Sequence, residues 1–252
     1  MSEKETRINL QFCEEKIIPL LQRIVKKTMR SNYQIERKAH GNFVTTIDIS
    51  MENNLKESLH AILPEAGFIV EEEINEEKEF NWIIDPIDGT TNFIYGFPYT
   101  ISVAFVQQKT NDVLLGIVYN PKDDLIYYAA KNEGSYIFHQ SMKKAIKTAT
   151  FPKDEGIAII GMPYNRNKTK RIFQIAEKVY PYVSDLKRIG PSSLDICLVA
   201  EGKAKLYFEL DLKPWDISAG QLILTEAGGQ FLKIDDLYLF TNKDIVIKPS
   251  SN

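Results

Sequence analysis

The run Trp82-Ile83-Ile84-Asp85-Pro86-Ile87-Asp88-Gly89-Thr90-Thr91-Asn92-Phe93 constrains this chain most, because an apolar stretch that reads as a buried strand leads straight into two carboxylates. Burying charge is expensive, so the fold must compensate both groups. Pro86 biases Asp85 toward extended backbone and removes a donor, while Gly89 permits a reversal that residues with a Cβ resist. The expected product is a strand ending in a tight turn. Thr90 and Thr91 then bring hydroxyls and backbone N–H groups to the start of a helix or turn, which suits an anion such as phosphate. Carboxylates repel phosphate, and the arrangement makes sense with cations between them; magnesium, which takes hard oxygen ligands, is the natural candidate. Taken alone, DPxDG is equally an ordinary solvated turn.

A second constellation, Pro214-Trp215-Asp216-Ile217-Ser218-Ala219-Gly220, places one carboxylate after a large aromatic at a helix start, with small residues that let the helix pack closely. Asp216 also reads as a simple helix cap, a use that does not exclude metal ligation.

Around these segments the apolar periodicity outlines the elements. Leu10, Cys13, Ile17, Leu20 and Ile24 recur at helical spacing, predicting an amphipathic helix over 5–30 that Pro19 kinks or divides. A second helix is expected over 49–62, ended by Pro64 and Gly67. Short strands at 82–84, 100–106, 113–119, 125–130 and 135–138, separated by turn formers, predict an antiparallel meander. Beyond residue 150 strands at 157–160 and 206–209 alternate with helices near 167–180, 191–202 and 216–226, the pattern of a layered α/β arrangement. The division expected is an N-terminal half, 1–150, carrying the first motif and a C-terminal half, 151–252, carrying the second, packed as one unit.

Composition narrows the function classes. Lys and Arg number 31 against 34 Asp and Glu, a net charge of −3, so no general basic excess attracts nucleic acid. No apolar segment is long and unbroken enough to read as a membrane span or signal core, and a cytoplasmic protein is expected. Cys13 and Cys197 sit among apolar neighbours and read as packed hydrophobes, while His40, His60 and His139 lack triad or zinc spacing. No G-x-x-x-x-G-K-[ST] run is present.

Together W-I-I-D-P-I-D-G-T-T-N-F and W-D-I-S-A-G-Q-L-I-L-T-E-A-G-G resemble the signature regions of the inositol monophosphatase family of magnesium-dependent sugar-phosphate phosphatases. The resemblance runs from about Asn42 to the Gly228-Gly229 pair, with Ser218 where Ala or Cys is commoner and Asn42 where Asp is usual. It implies a layered αβαβα sandwich of the inositol monophosphatase/fructose-1,6-bisphosphatase type, two or three Mg2+ ions per site, a small phosphorylated polyol or nucleotide as substrate, and a homodimer.

Carried over residue by residue, the resemblance makes Glu71, Asp85, Asp88, Asp216 and the Ile87 carbonyl metal ligands. Glu71 is the aligned glutamate of Val70-Glu71-Glu72-Glu73, with Glu72 the alternative, and Glu76, Glu77 and Glu79 read as a solvated loop. Asp48 resembles the orienting partner of Thr90, and with Glu71 this pair would activate water; a helix cap is its plainer reading. Asp88, Gly89, Thr90, Ser192 in Gly190-Pro191-Ser192, Glu209 and Asp216 resemble substrate-binding positions, although Glu209 also suits a surface ion pair. The roles of Arg37 and Lys38 stay open. The expected activity is hydrolysis of inositol monophosphate or a related sugar phosphate by metal-activated water. NADP, fructose 1,6-bisphosphate and a regulatory protein-interaction role are the alternatives.

Overall fold

The computed structural model of the chain describes residues 8–29, 34–39, 42–71 and 78–242. Glu72, Glu76, Glu77 and His40, and the side chains of Arg37, Lys38 and Asn42, lie outside the described residues. The first helical stretch opens at Leu10–Phe12, where Asn9 Oδ1 accepts from the Phe12 N–H at 2.8 Å, passes through a π-helical turn at Cys13–Ile17 and continues as α1 (Ile18–Thr28). Pro19 explains the junction. It has no N–H for the Glu15 carbonyl, and the turn just before it widens so that the Ile18 N–H bonds Cys13 O instead.

A hairpin of β1 (Ile35–Ala39) and β2 (Asn42–Thr45) leads into α2 (Thr46–Ile62), which starts three residues earlier than the apolar pattern indicated. Thr45 is the reason. Its hydroxyl caps the Ile47 and Asp48 N–H groups, and a polar first turn is invisible to hydrophobic periodicity.

The larger sheet has seven strands in chain order: β3 (Gly67–Val70), β4 (Phe80–Asp88), β5 (Thr100–Gln107), β6 (Asp112–Asn120), β7 (Leu125–Ala130), β8 (Ser135–His139) and β9 (Met142–Ala145). Only β3 and β4 run parallel; the rest is the expected meander. Between β4 and β5 lies the short helix α3 (Thr90–Ile94). The smaller sheet is built from β10 (Ile157–Ile160), β11 (Asp185–Lys187), β12 (Leu206–Leu210), β13 (Gln230–Ile234) and β14 (Leu237–Thr241), in spatial order β11-β10-β12-β14-β13. Its helices are α4 (Thr169–Val179), α5 (Ser192–Ala200) and α6 (Pro214–Glu226).

Alternation along the strands sorts the layers. Trp82 and Ile84 point to the core shared with α1 and α2, whereas Ile83 joins the core formed with α5 and α6. On the other sheet Tyr207 faces α5 and α6, while Leu206 and Phe208 face Ile172 and Ala176 of α4. Five layers result: α1/α2, the larger sheet, α5/α6, the smaller sheet and α4. This is the αβαβα sandwich. Both cysteines are buried in these cores, and burial pushes each thiol up from its ordinary range, as packed hydrophobes require. Among the described residues no helix is long and apolar enough to cross a membrane.

The middle layer sits unusually close to the larger sheet at one point. A Cβ on Gly116 of β6 would lie 2.6 Å from the Ala219 carbonyl oxygen of α6. Gly116→Ala should therefore push α6 off the sheet and lower the unfolding free energy by about 1–3 kcal/mol, read as a reduced urea midpoint with unchanged m.

Candidate metal centre

β4 is buried along its whole length and carries both carboxylates of the first motif to its end. Strand residues three apart normally point to opposite faces. Here Asp85 pairs with Ser102 and Asp88 with Thr100, so three steps on β4 match two on β5. The extra residue is a bulge around Pro86, which has no N–H to give the ladder. Parity is thereby reset, and both carboxylates emerge on the face of Ile83, toward α5 and α6. The strand thus continues to Asp88, and the turn falls at Gly89, whose φ is +86°. A Cβ there would also press on Pro191 Cβ at 2.9 Å.

The third carboxylate arrives from α6. Pro214 opens that helix, and Asp216 Oδ2 reaches back to accept the Lys213 N–H at 2.6 Å. The capping reading of Asp216 holds in modified form: it stands two residues inside the helix and ties down the residue before it. Carboxylate oxygens of Asp85, Asp88 and Asp216 all lie within 4.8 Å of one another, the one such acidic, His or Cys group that could hold a metal ion among the described residues. Glu71 falls outside that group. It follows β3, whose Val70 pairs with Ile84, and register brings it alongside Asp85.

The electrostatics of this cluster are one-sided. Burial pushes Asp85 well above the usual carboxylate range, and the charges of Glu71, Asp88, Asp216 and Asp48 push it further. Asp216 is raised by burial and then by Asp88. Asp88 rises from 3.8 to about 6, because burial outweighs hydrogen bonds from Ser193 and Thr100; the Ser193 N–H donates at 2.8 Å. Buried, convergent, all-oxygen and anionic, the donor set fits a hard divalent cation such as Mg2+.

Asp48 stands at the N3 position of α2, as Asp216 does in α6. Its Oδ2 accepts from the Thr45 N–H at 2.8 Å and from the Thr45 hydroxyl at 2.5 Å, which leaves Oδ1 for the Thr90 hydroxyl at 3.0 Å. Thr90 Oγ1 also lies 3.3 Å from the Ile87 carbonyl. Capping and the contact with Thr90 are served by different oxygens of one group.

On the opposite side Glu209, next to last in β12, is a buried carboxylate, not a surface ion pair. It accepts from Ser192 Oγ at 3.2 Å and from the Tyr207 hydroxyl, and burial raises it from 4.5 to about 7. Gly190-Pro191-Ser192 is held by Asp195, both of whose carboxylate oxygens accept from the Gly190 N–H, at 3.1 and 3.0 Å. The sequence reading passed over Ser193, Asp195, Tyr207 and Gly161. Asp195 carried the clearest signal, a carboxylate within the apolar run Leu194–Ala200.

A carboxylate raised on folding costs stability once it ionises. With Asp88 at about 6 against 3.8, its contribution is intact below pH 4 and is lost as pH rises through about 6. In chelator, Asp85→Asn should therefore melt higher than wild type at pH 7, and the advantage should shrink on acidification toward pH 4; calorimetry across that range checks it.

Comparison with known proteins bears on the family and the fold. The chain is 35% identical over 207 residues to a fructose-1,6-bisphosphatase/inositol-1-monophosphatase of Aquifex aeolicus, covering 80% of this chain and 76% of that one. It is 31% identical over 207 residues to a Nus factor SuhB of Pasteurella multocida, covering 79% and 75%. An IMPase structure from Thermotoga maritima superposes with a TM-score of 0.77 at 26% identity over 90% of each chain. The description "Inositol monophosphatase family" matches residues 4–251, and with both signature segments meeting at one buried acidic cluster, this chain belongs to the inositol monophosphatase family.

Proposed function

We propose that this chain is a magnesium-dependent phosphomonoesterase that hydrolyses inositol monophosphate or a related small sugar phosphate. The observation that carries the reading is the buried Asp85–Asp88–Asp216 group, whose mutual repulsion calls for cations. Those three carboxylates, with Glu71 and the Ile87 carbonyl, would hold two or three Mg2+ ions. Bound magnesium supplies Lewis-acid stabilisation of phosphoryl charge and lowers the pKa of water.

The chain's own residues position the reactants. Thr90 gives its hydroxyl hydrogen to Asp48, leaving its oxygen free to accept from the attacking water; Asp48, pinned by Thr45, keeps that oxygen aimed. Glu71 is the second acceptor for the water's protons. Backbone N–H groups of Gly89 and Thr90 would hold phosphate oxygens, where transition-state charge spreads. Ser192 and Glu209, with Asp88 and Asp216, would meet the alcohol half of the ester.

The double name of the Aquifex aeolicus relative supports a wider substrate range that includes fructose 1,6-bisphosphate. The relative named Nus factor SuhB keeps the alternative of a chiefly regulatory protein-interaction factor, and the intact acidic cluster, which such a factor would not need, favours catalysis.

Phosphate release from inositol 1-phosphate, NADP and fructose 1,6-bisphosphate, with magnesium and with chelator, tests the reading. Activity should require magnesium, and Asp85→Asn should lower kcat by more than about 100-fold with the fold retained by circular dichroism. Wild-type turnover in that variant would refute the metal assignment. Thr90→Val should keep magnesium-induced stabilisation in a thermal melt yet lower kcat by about 100-fold or more.

A further inference from the structure

The two oxygens of Glu209 are treated differently. Oε2 accepts from the Tyr207 hydroxyl and from Ser192 Oγ, whereas no described residue donates to Oε1. Two donors occupy both lone pairs of Oε2 and stop the carboxylate from rotating. Tyr207 cannot follow a rotation either: it is wholly buried, with its ring stacked on Phe240 at 5.6 Å between centroids. From the neighbouring strand end, the Gly161 N–H bonds Phe208 O at 2.9 Å, and any Cβ on Gly161 would overlap the Glu209 carboxylate. The fold has made a slot for this one side chain. Glu209 is 8% accessible, and consecutive residues tie it to the acidic cluster: Ser192 Oγ donates to Glu209 at 3.2 Å and the Ser193 N–H donates to Asp88 Oδ2 at 2.8 Å, which sets Glu209 beside that cluster.

We infer that Tyr207 is a positioning residue for substrate recognition: by fixing Oε2 of Glu209, it holds Oε1 toward a hydroxyl on the alcohol half of the ester. This rests on the phosphatase reading above. Tyr207 touches neither phosphate nor metal ligands. Its loss therefore weakens recognition of hydroxyl-bearing alcohols and leaves the hydrolytic step alone. A residue that merely filled the core would affect all substrates alike.

The test compares inositol 1-phosphate with cyclohexyl phosphate, the same six-membered ring without hydroxyls, in wild type and Tyr207→Phe with magnesium. The variant removes one oxygen and keeps the stacked ring. Wild type should prefer inositol 1-phosphate, and Tyr207→Phe should raise KM for that ester about tenfold, the worth of one net hydrogen bond, with kcat retained. KM and kcat for cyclohexyl phosphate should not move. Equal effects on the two esters, or no effect on either, overturn the inference and leave the phosphatase reading standing. A wild type that shows no preference overturns it whatever the variant's stability. A wild type that hydrolyses neither of these esters nor any other with magnesium removes the phosphatase reading and this inference with it.

Discussion

Like charges must be held together against their own repulsion at the centre of this molecule. Asp85, Asp88 and Asp216 converge within 4.8 Å in a buried place, and the strongest charges acting on Asp85 are all negative. Such a cluster persists in a fold only if the backbone leaves the side chains nowhere else to go and a cation offsets the charge when the protein works. The surrounding architecture meets the first condition. The bulge at Pro86 puts two carboxylates of one strand on one face, and the close seat of α6 over Gly116 delivers the third.

One local device recurs on both sides of the cluster. Asp48 in α2 and Asp216 in α6 each stand at the third position of a helix and bond back to the backbone N–H of the residue preceding it. Each therefore spends one carboxylate oxygen on helix geometry, while the other oxygen of Asp48 accepts from Thr90 and Asp216 joins the acidic group. Helix start and functional group become one rigid object, and stability and positioning share the same atoms. The start of α5 does similar work beside Glu209, since Asp195 holds Gly190 of the preceding loop while Ser193 holds Asp88 and Ser192 holds Glu209.

Much of this was legible before any coordinates. The meander, the α/β alternation and the carboxylate-bearing segments follow from period-two apolar runs and from turn formers, which are local signals. Boundaries missed by the pattern have local polar causes, such as the Thr45 cap that starts α2 early. Strands such as β9, exposed throughout, and β11, three residues long, lack the apolar alternation that would have announced them. Glu209 shows the limit most clearly. A glutamate at a strand end is ambiguous in sequence, and it is Tyr207, Ser192 and the bare Gly161 backbone that make it a buried, oriented acceptor.

By itself the sequence determined which groups are chemically able to act: two carboxylates after a buried strand, a third at a helix start, a glycine where the chain must turn, and a family resemblance borne by those residues. Tertiary structure alone decided that the carboxylates face one another, that Asp48 reaches Thr90 across 42 residues of chain, and that Glu209 offers a single oxygen. The physical reason is that residue type and spacing act over a few neighbours along the chain. Register, the bulge and helix–sheet distance are collective results of packing, and they set which distant side chains meet.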